Sequence, residues 1–267
     1  MSDFLKHMST LSAERAANVG SFNDGSFDRP LVQLSPDAFD IIAEIKDRSP
    51  AEGDLAPISD SRVTRAQEYV RGGAAAISVL TEPSRFAGDI GHLEEVAAAV
   101  SDVPVMRKDF LVDPVQILEA RAAGASGVLL IVAMLDDDAL RSMLDTAAEH
   151  GMFVLLEAFG RDDLQRIRQA LNADDEQRVL NRQLLFGINT RNLRTLAVDP
   201  DRLRELAPEL PDGVCVAESG LRTAVDVATI ARCGYSMALV GTALMRASDP
   251  AGLIAAMKEA GKVGIAA

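Results

Sequence analysis

IIAEIKDRSP, residues 41–50, decides the fold. Four of its first five residues are apolar, and then the chain turns charged within two steps. Side chains alternate faces along a strand, so Ile42, Glu44 and Lys46 share one face and Ile41, Ala43 and Ile45 the other. A strand that is apolar on one face, and charged on the opposite face only at its C-terminal end, is built for a site. Five further words end the same way: SVLTEP (78–83), MRKDF (106–110), LLEAF (155–159), GINTRN (187–192) and AESG (217–220). Each closes an apolar run with charged, amide or small polar residues. Six such ends along one chain predict a parallel barrel with a charged mouth, where strand ends carry chemistry and the following loops carry substrate.

Working outward, apolar runs fall at 41–46, 75–80, 104–108, 127–132, 153–157, 184–188, 214–218 and 237–241. Amphipathic stretches with helical spacing lie between them, near 60–72, 91–100, 114–123, 136–150, 161–172, 200–207, 223–233 and 250–260. Eight strands alternating with eight helices fit an α/β (β/α)₈ TIM barrel over 41–267, read as one domain, with an N-terminal extension over 1–40 carrying a helix near 9–19. GGAAAISV (72–79), AAGASGVLL (122–130) and ARCGYSMALV (231–240) form a weak repeat. In each, a glycine (Gly73, Gly124, Gly234) ends a helix just before the next strand. An open doubly wound sheet would show the same repeat. The eighth strand and the number of charged strand ends favour closure.

The 267 residues suit one such barrel, and 48% apolar content is ample for its core. A net charge of −13 argues against nucleic-acid and anionic-membrane partners. The N-terminal stretch lacks an apolar signal core and no run is long enough to span a bilayer, so a cytoplasmic protein is expected, as a monomer or weak homodimer. Cys215 and Cys233 have neither metal-ligand nor disulfide-framework spacing. No glycine-rich dinucleotide loop and no metal set is present. His7, His92 and His150 lie away from strand ends. Asp136, Asp137 and Asp138 are expected to cap a helix, and Arg107, with outward parity, to pack behind the sheet.

Strand parity puts Lys108 above Met106, Glu157 above Leu155, Asn189 above Gly187 and Glu218 above Val216, with Arg191 a step beyond Asn189. Two lysines, three glutamates, an asparagine and an arginine therefore converge. Inward charges at this density cost desolvation, which favours a functional set, although any single Lys–Glu pair could equally close the barrel top. Ser219-Gly220 and Gly241-Thr242 follow the last two strands, where barrels place phosphate sites and small residues admit backbone N–H groups. Ser49 and Lys46 could close the other side.

At these words the chain resembles the indole-3-glycerol phosphate synthases of tryptophan biosynthesis. AEIKDRSPAEG, SVLTEPSRFAGD, MRKDFLVDPVQILEARAAGASGVLLI, LLEAF, FGINTRNLRTL, VAESGL and VGTALMR match that family's words in order over about residues 41–247. The resemblance implies a cofactor-free reaction in which an aminobenzoate bearing a deoxyribulose phosphate closes to an indole, losing CO₂ and water. It implies Lys108 as general acid, Glu157 as base, Lys46 as a second proton-transfer residue and Glu44 as a carboxylate orienting them. It implies that Asn189, Arg191, Glu218, Ser78 and Phe86 bind substrate, with Arg191 on the anthranilate carboxylate, and that Ser49, Ser219, Gly220, Gly241 and Thr242 hold the phosphate. The chain departs from the pattern at Phe159, where the family has a histidine, in extra residues within NADDEQRVLNRQ (172–183), at SPAEG for SPSKG, and over its first 40 residues. Two other readings remain: an isomerase-like phosphate-binding barrel, which would call for Cys/Asp or paired Asp at strand ends, and a non-catalytic paralogue that binds sugar phosphates.

Overall fold

The computed structural model of the chain describes residues 2–22, 24–50, 52–55, 61–191, 197–199 and 201–266. The eight apolar runs are eight strands: β1 (Asp40–Ile45), β2 (Ala76–Leu80), β3 (Val105–Lys108), β4 (Gly127–Ile131), β5 (Phe153–Ala158), β6 (Leu184–Asn189), β7 (Val214–Glu218) and β8 (Met237–Val240). Every neighbouring pair is parallel. β1 pairs with β2 on one side and with β8 on the other, in the register Asp40↔Met237 to Ala43↔Val240. That second pairing closes the barrel and excludes the open sheet.

The alternation read from the sequence separates two apolar cores. Ile42, Met106, Leu129, Leu155, Val216 and Leu239 pack inside the barrel. Ile41, Ala43, Ile45, Val79, Leu130 and Leu156 face outward and pack beneath the helices. Burial of both faces is why these strands read as nearly continuous apolar runs.

The α-helices of five residues or more are α1 (Asp3–Ala16), α2 (Arg62–Arg71), α3 (Ile90–Ala99), α4 (Val115–Ala122), α5 (Asp137–Glu149), α6 (Arg161–Ala170), α7 (Ala173–Leu180), α8 (Arg202–Leu206), α9 (Ala224–Ala231), α10 (Thr242–Arg246) and α11 (Pro250–Ala266). The expected helix starts at 60 and 200 lie outside the described residues. Side-chain caps fix several starts: Ser61 accepts from Thr64 N, Asp136 from Ala139 N and Thr223 from Asp226 N. Gly73, Gly124 and Gly234 take φ of +81°, +94° and +96°, the left-handed endings the repeat implied.

Two elements differ from the sequence reading. The N-terminal helix spans Asp3–Ala16 rather than 9–19, because Ser2 caps it and Leu5, Met8, Ser12 and Ala16 form a buried stripe. It lies over the C-terminal mouth, where Leu5 and Met8 join Phe110, Ile131 and Met134 in the inner core. The stretch 172–183 is not merely a longer link, since most of it is helix α7, opened by an Asn172/Asp175 capping box. The loop after β1 also carries an unanticipated antiparallel ribbon, Arg48–Ser49 against Gly53–Asp54.

Candidate active site

The charged strand ends meet in one cavity at the mouth. β1 delivers Glu44 and, one residue past its end, Lys46; the two form an ion pair. β3 ends on Lys108, whose Nζ lies 3.5 Å from Glu157 Oε2 on β5 and 3.8 Å from Glu218 Oε2 on β7. Asn189, at the end of β6, donates from Nδ2 to Glu157 Oε2 at 3.1 Å. Its Oδ1 accepts from Ser219 Oγ and from Arg191 N, both at 2.9 Å. This amide thus fixes Glu157 on one side and the loop after β7 on the other.

Two glycines make room for the carboxylates. A Cβ at Gly187 would stand 2.1 Å from Glu218 Oε1, and one at Gly241 would stand 2.0 Å from Glu44 Oε2 and 2.7 Å from Lys46 Nζ. Neither glycine has a positive φ, so space rather than backbone freedom demands them.

Burial and charge set the protonation of three groups. Burial alone would raise the Glu44 pKa, but Lys46 and then Lys108 outweigh it and hold the carboxyl below its ordinary value. Burial disfavours the charged form of Lys108, yet Glu157, Glu218 and Glu44 reverse that and raise it. Glu218 goes the other way: burial, followed by the Glu157 charge beside it, pushes its carboxyl well above the ordinary range despite Lys108. Neither Glu218 oxygen accepts a hydrogen bond among the described residues.

One end of the cavity is aromatic. Phe4 of α1 meets Phe110 edge-on with ring centroids 5.8 Å apart, and Phe86 lies 6.2 Å from Phe110. Ser49, Ser219, Gly220, Gly241 and Thr242, all small, also line it, beyond the ends of β1, β7 and β8. Ser219 and Gly220 both have left-handed backbones, φ +69° and +80°, and Thr190 Oγ1 donates to Ser219 O at 3.2 Å to hold that turn. Arg191 also lines the cavity.

Of the residues named from sequence, all but Ser78 line this cavity. Ser78 is fully buried on β2, level with Glu44. Its contact with substrate stays an expectation of the family resemblance. Sequence reasoning missed Phe4, Phe110 and Arg222, which also line the cavity. Phe110 shares the parity of Lys108 and was legible in the KDF word. Phe4 carried no local signal. Arg107 packs behind the sheet as its parity implied, donating from Nε to Thr81 Oγ1 at 3.1 Å and from Nη1 to Gln116 O at 2.9 Å. Cys215 faces the outer core, its thiol pushed up to about 12 by burial, which removes the cysteine that an isomerase-like site would use.

Comparison with known proteins agrees with this arrangement. The family model described as indole-3-glycerol phosphate synthase matches residues 6–257. An indole-3-glycerol phosphate synthase of Nocardioides sp. is 47% identical over 229 residues, covering 85% of this chain and 83% of the relative. One from Kineococcus radiotolerans is 46% identical, covering 83% and 76%. One from Streptomyces griseus is 40% identical, covering 93% and 86%. Among solved structures, 3-hexulose-6-phosphate synthase from Salmonella typhimurium superposes with a TM-score of 0.63 at 17% identity, over 85% of this chain and all of that one. Thiamine phosphate pyrophosphorylase from Pyrococcus furiosus gives 0.60 at 14%, over 85% and 97%. These two show the barrel fold alone. Identity of this size, running from α1 into α11, places the chain in the indole-3-glycerol phosphate synthase family.

Proposed function

We propose that Lys108 and Glu157 are the acid and base with which this chain performs its synthase reaction, the closure of 1-(2-carboxyphenylamino)-1-deoxyribulose 5-phosphate to an indole. The observation that carries the assignment is the contact of Lys108 Nζ with two buried carboxylates, Glu157 at 3.5 Å and Glu218 at 3.8 Å. An ammonium held charged by Glu157 and Glu44 is a reluctant donor to a ketone and a ready one to an alkoxide. It therefore gives its proton as charge develops on the ketone oxygen, while the ring carbon bearing the carboxylate forms its bond to the ketone carbon. Loss of CO₂ returns the electron pair to the ring. The new hydroxyl then leaves as water, protonated with help from Lys46, and Glu157 takes a proton from the methylene beside nitrogen to complete the indole double bond. Glu44 keeps Lys46 in place, and Asn189 keeps Glu157 in place.

The aromatic end, with Phe86, receives the benzoate ring, and Arg191 its carboxylate. Ser49, Ser219, Gly220, Gly241 and Thr242 receive the phosphate, mostly through backbone N–H groups. Glu218, protonated, donates to a sugar hydroxyl or to Glu157. We place the enzyme in the cytoplasm as a monomer or weak homodimer, which cell fractionation and sedimentation test.

Turnover followed by indole fluorescence tests the roles. Lys108→Ala should lose about 10²–10⁴-fold in kcat with the fold intact, the usual loss for a positioned acid. Glu157→Gln should lower kcat while KM holds, the sign of an interaction made in the transition state. Near-normal turnover in Lys108→Ala would remove Lys108 from the acid role. A raised KM with parental kcat in Glu157→Gln would make Glu157 a binding residue.

A further inference from the structure

Immediately behind Lys108 lies a buried anion that the chemistry does not use. Asp109 follows Lys108 in the chain, and its side chain is wholly shut off from solvent. Such a charge needs counter-charge and donors. Asp109 has both. Its Oδ1 accepts from Arg15 Nη2 and from Phe110 N, each at 2.7 Å. Its Oδ2 accepts from Thr81 Oγ1 at 2.8 Å and from Arg107 Nη2 at 3.4 Å. Three of these donors come from the barrel, and the fourth, Arg15, comes from α1. The second arm of Arg15, Nη1, stands 3.7 Å from the equally buried Glu82.

One turn earlier on α1, Ser12 Oγ accepts from Gln116 Nε2 at 3.0 Å. Gln116 in turn accepts Val112 N at 2.8 Å and Asp113 N at 3.2 Å, so the loop after β3 is built against α1. Asp109 is the carboxylate next in sequence to the Lys108 ammonium, and strand parity sets the two side chains on opposite faces. The two side chains spring from adjacent backbone positions at the end of β3, so what anchors Asp109 also fixes the backbone from which Lys108 projects into the cavity. Arg15 and Arg107 both hold Asp109, and Arg15 ties that anchor to α1.

We propose that Arg15 is a positioning residue for the general acid: by engaging Asp109 behind β3, it keeps the Lys108 ammonium in the cavity. The proposal rests on the reading of Lys108 as the acid. It makes α1 part of the catalytic arrangement and not only a cover over the substrate.

The experiment is steady-state kinetics of full-length Arg15→Gln, Arg15→Lys, Asp109→Asn and the double variant Arg15→Gln/Asp109→Asn, with folding checked by circular dichroism. Arg15→Gln should lower kcat about 10-fold or more with KM within about twofold, since small misplacement of a reacting group is costly. Arg15→Lys, which keeps the charge but loses the fork, should fall between Arg15→Gln and the parent. Both substitutions break the same anchor, so the double variant should turn over no more slowly than Arg15→Gln alone. Additive losses, or a raised KM with parental kcat in Arg15→Gln, would overturn the proposal. If Arg15→Gln does not fold, a parental kcat in Arg15→Lys overturns it. An inactive Lys108→Ala beside a normal Arg15→Gln sinks this proposal alone, whereas an active Lys108→Ala sinks the assignment beneath it.

Discussion

At the scale of the residue, Glu218 is the most informative side chain. Its pKa is raised from 4.5 by burial first and by Glu157 second, so the folded chain binds that proton more tightly than the unfolded chain does. The sign follows from linkage: this group contributes stability below the ordinary carboxylate range, and the contribution is lost as pH climbs from there through the raised value. Glu218→Gln cannot titrate. Its melting temperature relative to the parent should therefore shift upward steadily as pH rises from about 4.5, the ordinary carboxylate value. A difference independent of pH would show that Glu218 does not change charge in the folded state. Parity within single strands revealed which residues point inward, because side chains alternate strictly. It could not reveal that Glu218 faces Glu157, since β5 and β7 are separated by β6 and meet only across the barrel. Nor could it show that Gly187 and Gly241 are empty because carboxylates occupy their space.

Elements were legible to the extent that apolar burial wrote them. All eight strands could be read because both of their faces are buried. Helix α7 could not, because its inward face is polar: Asp175 and Arg178 are its buried residues. Asp175 is ion-paired with Arg141 of α5 and accepts from Arg178 Nη1 at 3.2 Å, while the same nitrogen also donates to Leu144 O at 3.2 Å. Breaking such a pair leaves a buried arginine without its anion. Asp175→Ala should destabilise the fold by about 3 kcal/mol in urea unfolding, with kcat unchanged, since α7 lies away from the cavity. A loss below about 0.5 kcal/mol, the size of a surface effect, would mean that the network is only decorative. The end of α1 was misplaced for a related reason: half of its buried stripe, Ser12 and Ala16, is small or polar, and its cap, Ser2, lies at the very start of the chain.

At the scale of the whole molecule, charge and chain order matter. The net charge of −13 repels a phosphorylated, carboxylated substrate before it reaches Lys46, Lys108 and Arg191. Salt screens that repulsion over a Debye length of about 8–10 Å at physiological strength. We expect kcat/KM to rise modestly between about 10 and 150 mM NaCl, conditions where exposed charges become screened. A steep fall would show that the local cations govern encounter instead. Chain order has a different consequence for α1. Its partners Asp109 and Gln116 lie 94 and 104 residues downstream of Arg15 and Ser12. At translation rates of about 5–20 residues per second, the helix waits roughly 5–20 s on the ribosome before either partner exists. During that interval Leu5 and Met8 are without Phe110, Ile131 and Met134, the inner-core residues they join over the mouth, so the cover of the site is synthesised first and seated late.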